Sequence, residues 1–124
     1  MKIITDIKEA NVLLQSYVGA ALQIAFYNES LKRIAIRISL PAVAEVIYFV
    51  GVGCESISGN FRISNVNLLI TSEVDENTKE RITKITDKLS KFELSTLGGF
   101  SLAQGLESEF GTSFDNFIKE KKEL

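Results

Sequence analysis

From Arg33 to Leu40 the chain alternates strictly. Ile34, Ile36, Ile38 and Leu40 take turns with Arg33, Ala35, Arg37 and Ser39. A period of two predicts a strand with one buried face and one wet face, and both arginines fall on the wet face. Pro41 ends the strand, since it has no N–H to give to a ladder. Just upstream, Leu22, Ile24 and Phe26 alternate with Ala21, Gln23 and Ala25, and Asn28 to Ser30 supply turn residues between the two strands. The stretch EVIYFVGV, 45–52, is apolar on both parities, which predicts a central strand covered on both faces. In FRISNVNLLIT, 61–71, Phe61 and Ile63 share one parity, whereas Val66, Leu68 and Ile70 take the other. A bulge near Ser64–Asn65 reconciles them.

Four other stretches read as helix or hairpin. Asp6 followed by Glu9 resembles a capping box, and Ile7, Ala10, Leu14 and Tyr17 then fall on one face, which predicts a helix over 6–17 that ends or bends at Gly19. In VDENTKERITKITDKLSKF, 74–92, Ile82, Ile85, Leu89 and Phe92 lie at helical spacing. Asp75 and Glu76 come first and Lys88 and Lys91 last, an order that suits the helix dipole. Gly98-Gly99 then predicts a two-residue hairpin in FELSTLGGFSL. A terminal helix capped by Thr112 or Ser113 would bury Phe114, Phe117 and Ile118.

Together these elements predict an α+β fold in one domain, 1–124: a single antiparallel sheet, a meander of about four to six strands, with helices packed on one face. A small β-sandwich or open barrel with peripheral helices is the rival architecture. Phe26, Phe49, Phe61, Phe92 and Phe100 sit at apolar parity and are expected in the core, with Tyr27 and Tyr48 at the surface.

Composition narrows the function more than the fold. The chain has 124 residues, 45% apolar and 24% charged, with a single proline, the balance of a globular protein. Its net charge of −2 and the lack of any basic run longer than two residues speak against nucleic acid, where phosphate neutralisation supplies most of the affinity. The N-terminal stretch lacks the apolar core of a signal peptide, and no apolar run approaches the roughly 20 residues a membrane helix needs. With one cysteine, the expectation is a cytoplasmic protein without membrane contact.

There is no histidine. Nucleophile activation by imidazole is therefore excluded. Cys54 stands between Gly53 and Glu55, and a neighbouring carboxylate raises a thiol's pKa, so it reads as a packed residue where a strand meets a turn. Gly51, Gly53 and Gly59 do not make a dinucleotide fingerprint, because position 56 is serine. They are expected to mark the close approach of another segment or a bulge. One cysteine and no histidine make no zinc site. Glu73, Asp75 and Asn77 begin like a calcium loop, but the glycine is missing and Lys84 holds the twelfth position, so helix capping accounts for them. No cofactor is expected.

The resulting expectation is a small non-catalytic module that binds another protein, as an adaptor or as an inhibitor of the antitoxin or immunity kind, or that binds a second copy of itself. Arg33, Arg37 and Tyr48, brought together on one sheet face, are the candidate contact residues. The alternative is a small-ligand binder or minimal carboxylate enzyme, with Glu45 and Cys54 at the two ends of a pocket between sheet and helices.

Overall fold

The computed structural model describes residues 1–110. Ten strands and two short helices follow in the order β1 (Lys2–Ile4), α1 (Ile7–Gln15), β2 (Ala20–Asn28), β3 (Arg33–Ser39), β4 (Glu45–Val52), β5 (Cys54–Ser58), β6 (Arg62–Val66), β7 (Leu68–Val74), β8 (Arg81–Asp87), β9 (Glu93–Thr96), β10 (Phe100–Leu106) and α2 (Glu107–Phe110). They form two antiparallel sheets. One has six strands, ordered β1-β10-β4-β3-β2-β6, and the other four, ordered β5-β9-β8-β7. The expected α+β fold with a helical layer on a single sheet is therefore incorrect. The layer that covers the larger sheet is a second sheet, and the arrangement lies nearer the rival two-layer β architecture.

The physical reason lies in 81–87. Isoleucines at helical spacing suggested a helix, but Arg81-Ile82-Thr83-Lys84-Ile85-Thr86 holds four β-branched residues in six, which pack well on a pleated surface and lose rotamer freedom in a helix. The segment is β8, with Thr83, Ile85 and Asp87 turned inward. Asp75 caps no helix. It closes the turn between β7 and β8, its carboxylate accepting the Asn77 N–H at 2.8 Å. The terminal helix expected from Thr112 or Ser113 lies outside the described residues.

The N-terminal helix and the central meander agree with the apolar pattern. Asp6 caps α1 by accepting the Glu9 N–H at 2.9 Å. Ala10, Leu14 and Tyr17 are buried in the main core. The helix stops at Gln15 rather than running to Gly19. Strands β2, β3 and β4 pair in sequence order. The β2–β6 register slips between Ile63 and Val66, where the change of parity requires it.

The main core lies between the sheets. Ile34, Ile36 and Ile38 from β3, Ile47 and Phe49 from β4 and Leu102 from β10 meet Leu68, Ile70, Ile85 and Leu94 of the smaller sheet. Each such side chain, fully buried, contributes roughly 1.5–3 kcal/mol.

The outer face of the larger sheet is not wet throughout. Ala35, Val46, Tyr48, Val50, Ala103 and Phe110 make a second, smaller core there, beneath α2. The outward side chains of β4 are apolar, so they too must be covered.

Two chain segments turn the corner between sheets side by side. One runs from β4 to β5 through Gly53, and the other returns from β9 to β10 through Leu97–Gly99. They stay hydrogen-bonded throughout, with Gly98 N–H to Val52 C=O at 2.8 Å, Val52 N–H to Gly99 C=O at 3.1 Å and Leu97 N–H to Gly53 C=O at 2.9 Å. Gly98-Gly99 is thus no hairpin, since β9 and β10 belong to different sheets. A Cβ on Gly98 would stand 2.7 Å from the Val52 carbonyl oxygen, and one on Gly53, at φ +68, would stand 2.9 Å from the Gly98 nitrogen. Gly53 of VGVGC and Gly98 are required by this close approach, whereas a Cβ on Gly51 would stand 2.9 Å from the Thr96 methyl group. No helix among the described residues is long and apolar enough to cross a membrane.

Candidate functional site

Of the three residues expected to share a contact face, two meet. Arg37 stands opposite Tyr48 in the β3–β4 register, while Arg33 stands opposite Val52 at the far end of the strand. Arg37 and Tyr48 both reach Glu107 of α2. The Arg37 Nε donates to Oε1 at 3.0 Å, and the Tyr48 hydroxyl donates to the same oxygen at 2.8 Å. Tyr48 is 5% exposed, contrary to expectation, and its ring meets Phe110 edge-on at 4.6 Å. Burial, then the Glu107 carboxylate, pushes the Tyr48 hydroxyl up to about 12. This polar pair anchors α2 to the sheet.

Glu45 opens β4, and its carbonyl accepts the Tyr17 hydroxyl at 2.8 Å. Cys54 is half-buried at the start of β5. Burial, and then the Glu55 carboxylate, raises its thiol above the usual cysteine value. Cys54 lines a groove that Glu45 does not line.

An apolar concavity lies beside Cys54. Ile24, Tyr27, Ile34, Cys54, Ile57 and Phe61 line a groove of about 390 Å³, with Glu55 and Ser56 on its lip. Two strand edges flank it. On one side, the pairing of β6 with β2 ends where the Ile24 N–H donates to the Phe61 carbonyl at 2.9 Å. On the other side stands β5, bonded to β9 along one edge. Across its second edge the Cys54 N–H donates to Lys32 C=O at 3.0 Å, and no further backbone bond is made among the described residues. Phe61 is 72% exposed, Tyr27 48% and Ile57 39%. Placing Phe61 and Phe26 in the core was therefore wrong, whereas Phe49, Phe92 and Phe100 are buried. The available signal was the Ser58-Gly59-Asn60 turn directly ahead of Phe61, which sets that ring on a shoulder rather than within a strand.

Across β5 lies a second hollow of about 440 Å³, on the outer face of the smaller sheet. Glu55, Asp75, Glu80 and Glu93 line it, against the single cation Lys84. Lys84 is itself held by Glu73 at 3.1 Å. That hydrogen bond, with the charges of Glu73 and Glu93, raises the Lys84 pKa. Glu55 and Ser56 belong to both hollows, so β5 is the ridge between an apolar and an acidic surface. Among the described residues no three of aspartate, glutamate, cysteine and histidine gather as a metal site.

No protein-family model, no curated protein and no solved structure matches the chain.

Proposed function

We propose that the chain is a non-catalytic protein-binding module of the cytoplasm that takes its partner at the groove beside β5. One observation carries this reading: an apolar groove with Phe61, Tyr27 and Ile57 exposed at its rim. Exposed aromatics around a desolvated hollow are the usual anchors of protein interfaces. The raised Cys54 thiol, with no histidine beside it, supports a packing role and not a nucleophilic one. Arg37 and Tyr48 serve α2 in this reading, and Arg33 stands apart from them. The alternative of a small-ligand site between Glu45 and Cys54 keeps only the cysteine.

The test is capture from a lysate of the source cells, comparing the native chain with Phe61→Ser, Ile57→Ser and the charge reversal Arg33→Glu. The proposal expects one partner, lost with either groove variant and kept with Arg33→Glu. A partner indifferent to the groove variants, or none at all, contradicts it.

A further inference from the structure

Resting on that docking reading, we propose that the partner at the groove is a second copy of this chain, and that the two copies exchange Phe61 across a two-fold axis, each ring entering the other's groove. A two-fold contact uses one patch on both copies, so that patch must hold both what inserts and what receives. Here the two lie side by side. Phe61, 72% exposed, stands on the rim of the apolar hollow bounded by Ile24, Ile34, Cys54 and Ile57.

The ring is presented on a fixed backbone. Its carbonyl accepts the Ile24 N–H at 2.9 Å, and the turn ahead of it passes through Gly59 at φ +110, where a Cβ would stand 2.9 Å from the Phe92 Cα. The turn between β2 and β3 is tied to the same groove. Its Leu31 N–H donates to the Asn28 side chain at 3.1 Å, and its Lys32 carbonyl accepts the Cys54 N–H at 3.0 Å. Leu31 is 52% exposed. Apolar groups already held in place lose little freedom on binding, so more of their burial appears as affinity.

Charge selects the occupant. Glu55 on the lip lies 3.6 Å from Lys32, and the two cancel. A strongly charged partner finds no unmatched charge there, whereas two identical lips meet without net repulsion. Arg62 stands in register with Gln23, on the parity opposite to Leu22 and Ile63, and so points away from the groove. Asp75, Glu80 and Glu93 lie across β5, on the outer face of the smaller sheet, and stay out of the seam. The whole chain carries only −2, so long-range repulsion between copies is small. Reciprocal insertion makes each apolar contact twice and closes on itself, so the assembly stops at two. Few side chains take part, against roughly 20–30 residues a side in a standard interface, so the dimer is weak and reversible. The β5 amides take no part in it.

The experiment is sedimentation of the full chain from the low micromolar range to about 1 mM, followed by isotope-filtered NMR on an equal mixture of labelled and unlabelled copies. The expected result is a monomer–dimer equilibrium that added salt leaves unchanged, with intermolecular NOEs from the Phe61 ring to the Ile24 and Ile34 methyl groups. Phe61→Ser and Ile57→Ser should each weaken the dimer about tenfold or more, and Arg33→Glu should not. The NMR arm uses the native chain, so it is independent of how the variants fold. A monomer at every concentration, a dimer that salt disperses or that Phe61→Ser leaves intact, or intermolecular NOEs that omit Phe61 overturns the proposal. If the chain stays monomeric while capture of a different protein is lost with Phe61→Ser, the second copy fails and the docking reading stands. If the groove variants alter neither capture nor self-association, both fail.

Discussion

The two edges of the four-stranded sheet are treated in opposite ways. At β7 the edge is closed by one side chain. Asn11 of α1 donates its amide to the Ile70 carbonyl at 2.8 Å and accepts the Ile70 N–H at 2.8 Å, reproducing both bonds a neighbouring strand would make. At β5, the other edge, nothing comparable stands beyond Cys54 among the described residues, and the surface there is apolar. An unguarded edge is a liability for a soluble chain unless something uses it. The difference separates an edge closed by a side chain from an edge that the proposed partner would use.

The largest effect is expected at the corner that delivers β5 to its position. Gly98→Ala drives a methyl group into the Val52 carbonyl and should lower the unfolding free energy by about 2–4 kcal/mol, read from the urea midpoint. Asn11→Ala comes next. It leaves the Ile70 N–H and C=O unpaired and should cost about 2–3 kcal/mol, with new concentration-dependent association through β7 seen in sedimentation. At the open edge the balance reverses. Phe61→Ser should change stability by no more than about 0.5 kcal/mol, because the ring is already in water, while removing partner capture. The smallest effect is kinetic. Alkylation of Cys54 should titrate with a midpoint above 9.0, because burial and Glu55 favour the thiol over the thiolate, and a partner seated in the groove should slow it further. A midpoint below that value would mean that a cation, not Glu55, governs the sulfur.

The contrast between the edges was only half legible in the chain. Segments whose burial is decided locally could be read: α1 by its cap and apolar stripe, β2 and β3 by alternation, β4 by its unbroken apolar run, the slip before Val66 by its change of parity. What depends on a distant segment could not. The 81–87 stretch satisfies a helical and a strand pattern together, and only packing against β7 and β9 selects the strand. Gly98-Gly99 has the composition of a hairpin, but its neighbour is the β4–β5 corner, 46 residues upstream at Val52. Arg37 and Tyr48 were visible as cross-strand neighbours, yet the carboxylate that engages both comes from Glu107. The guarding of β7 by Asn11 rests on a pair 59 residues apart, which no local pattern announces. Phe61 was misplaced because it was given the parity of Ile63, although it stands ahead of β6, which begins at Arg62.

The most direct test of the central claim is residue-resolved amide hydrogen exchange of the native chain by NMR. The account predicts that the Ile70 amide, held by Asn11, exchanges slowly. The β5 amides that face away from β9, from Ser56 to Ser58, should exchange nearly as fast as an exposed loop. Uniform protection of Glu55 to Ser58 at the level of Ile70 would mean that the β5 edge is already covered, and would contradict both the open edge and the function assigned to it.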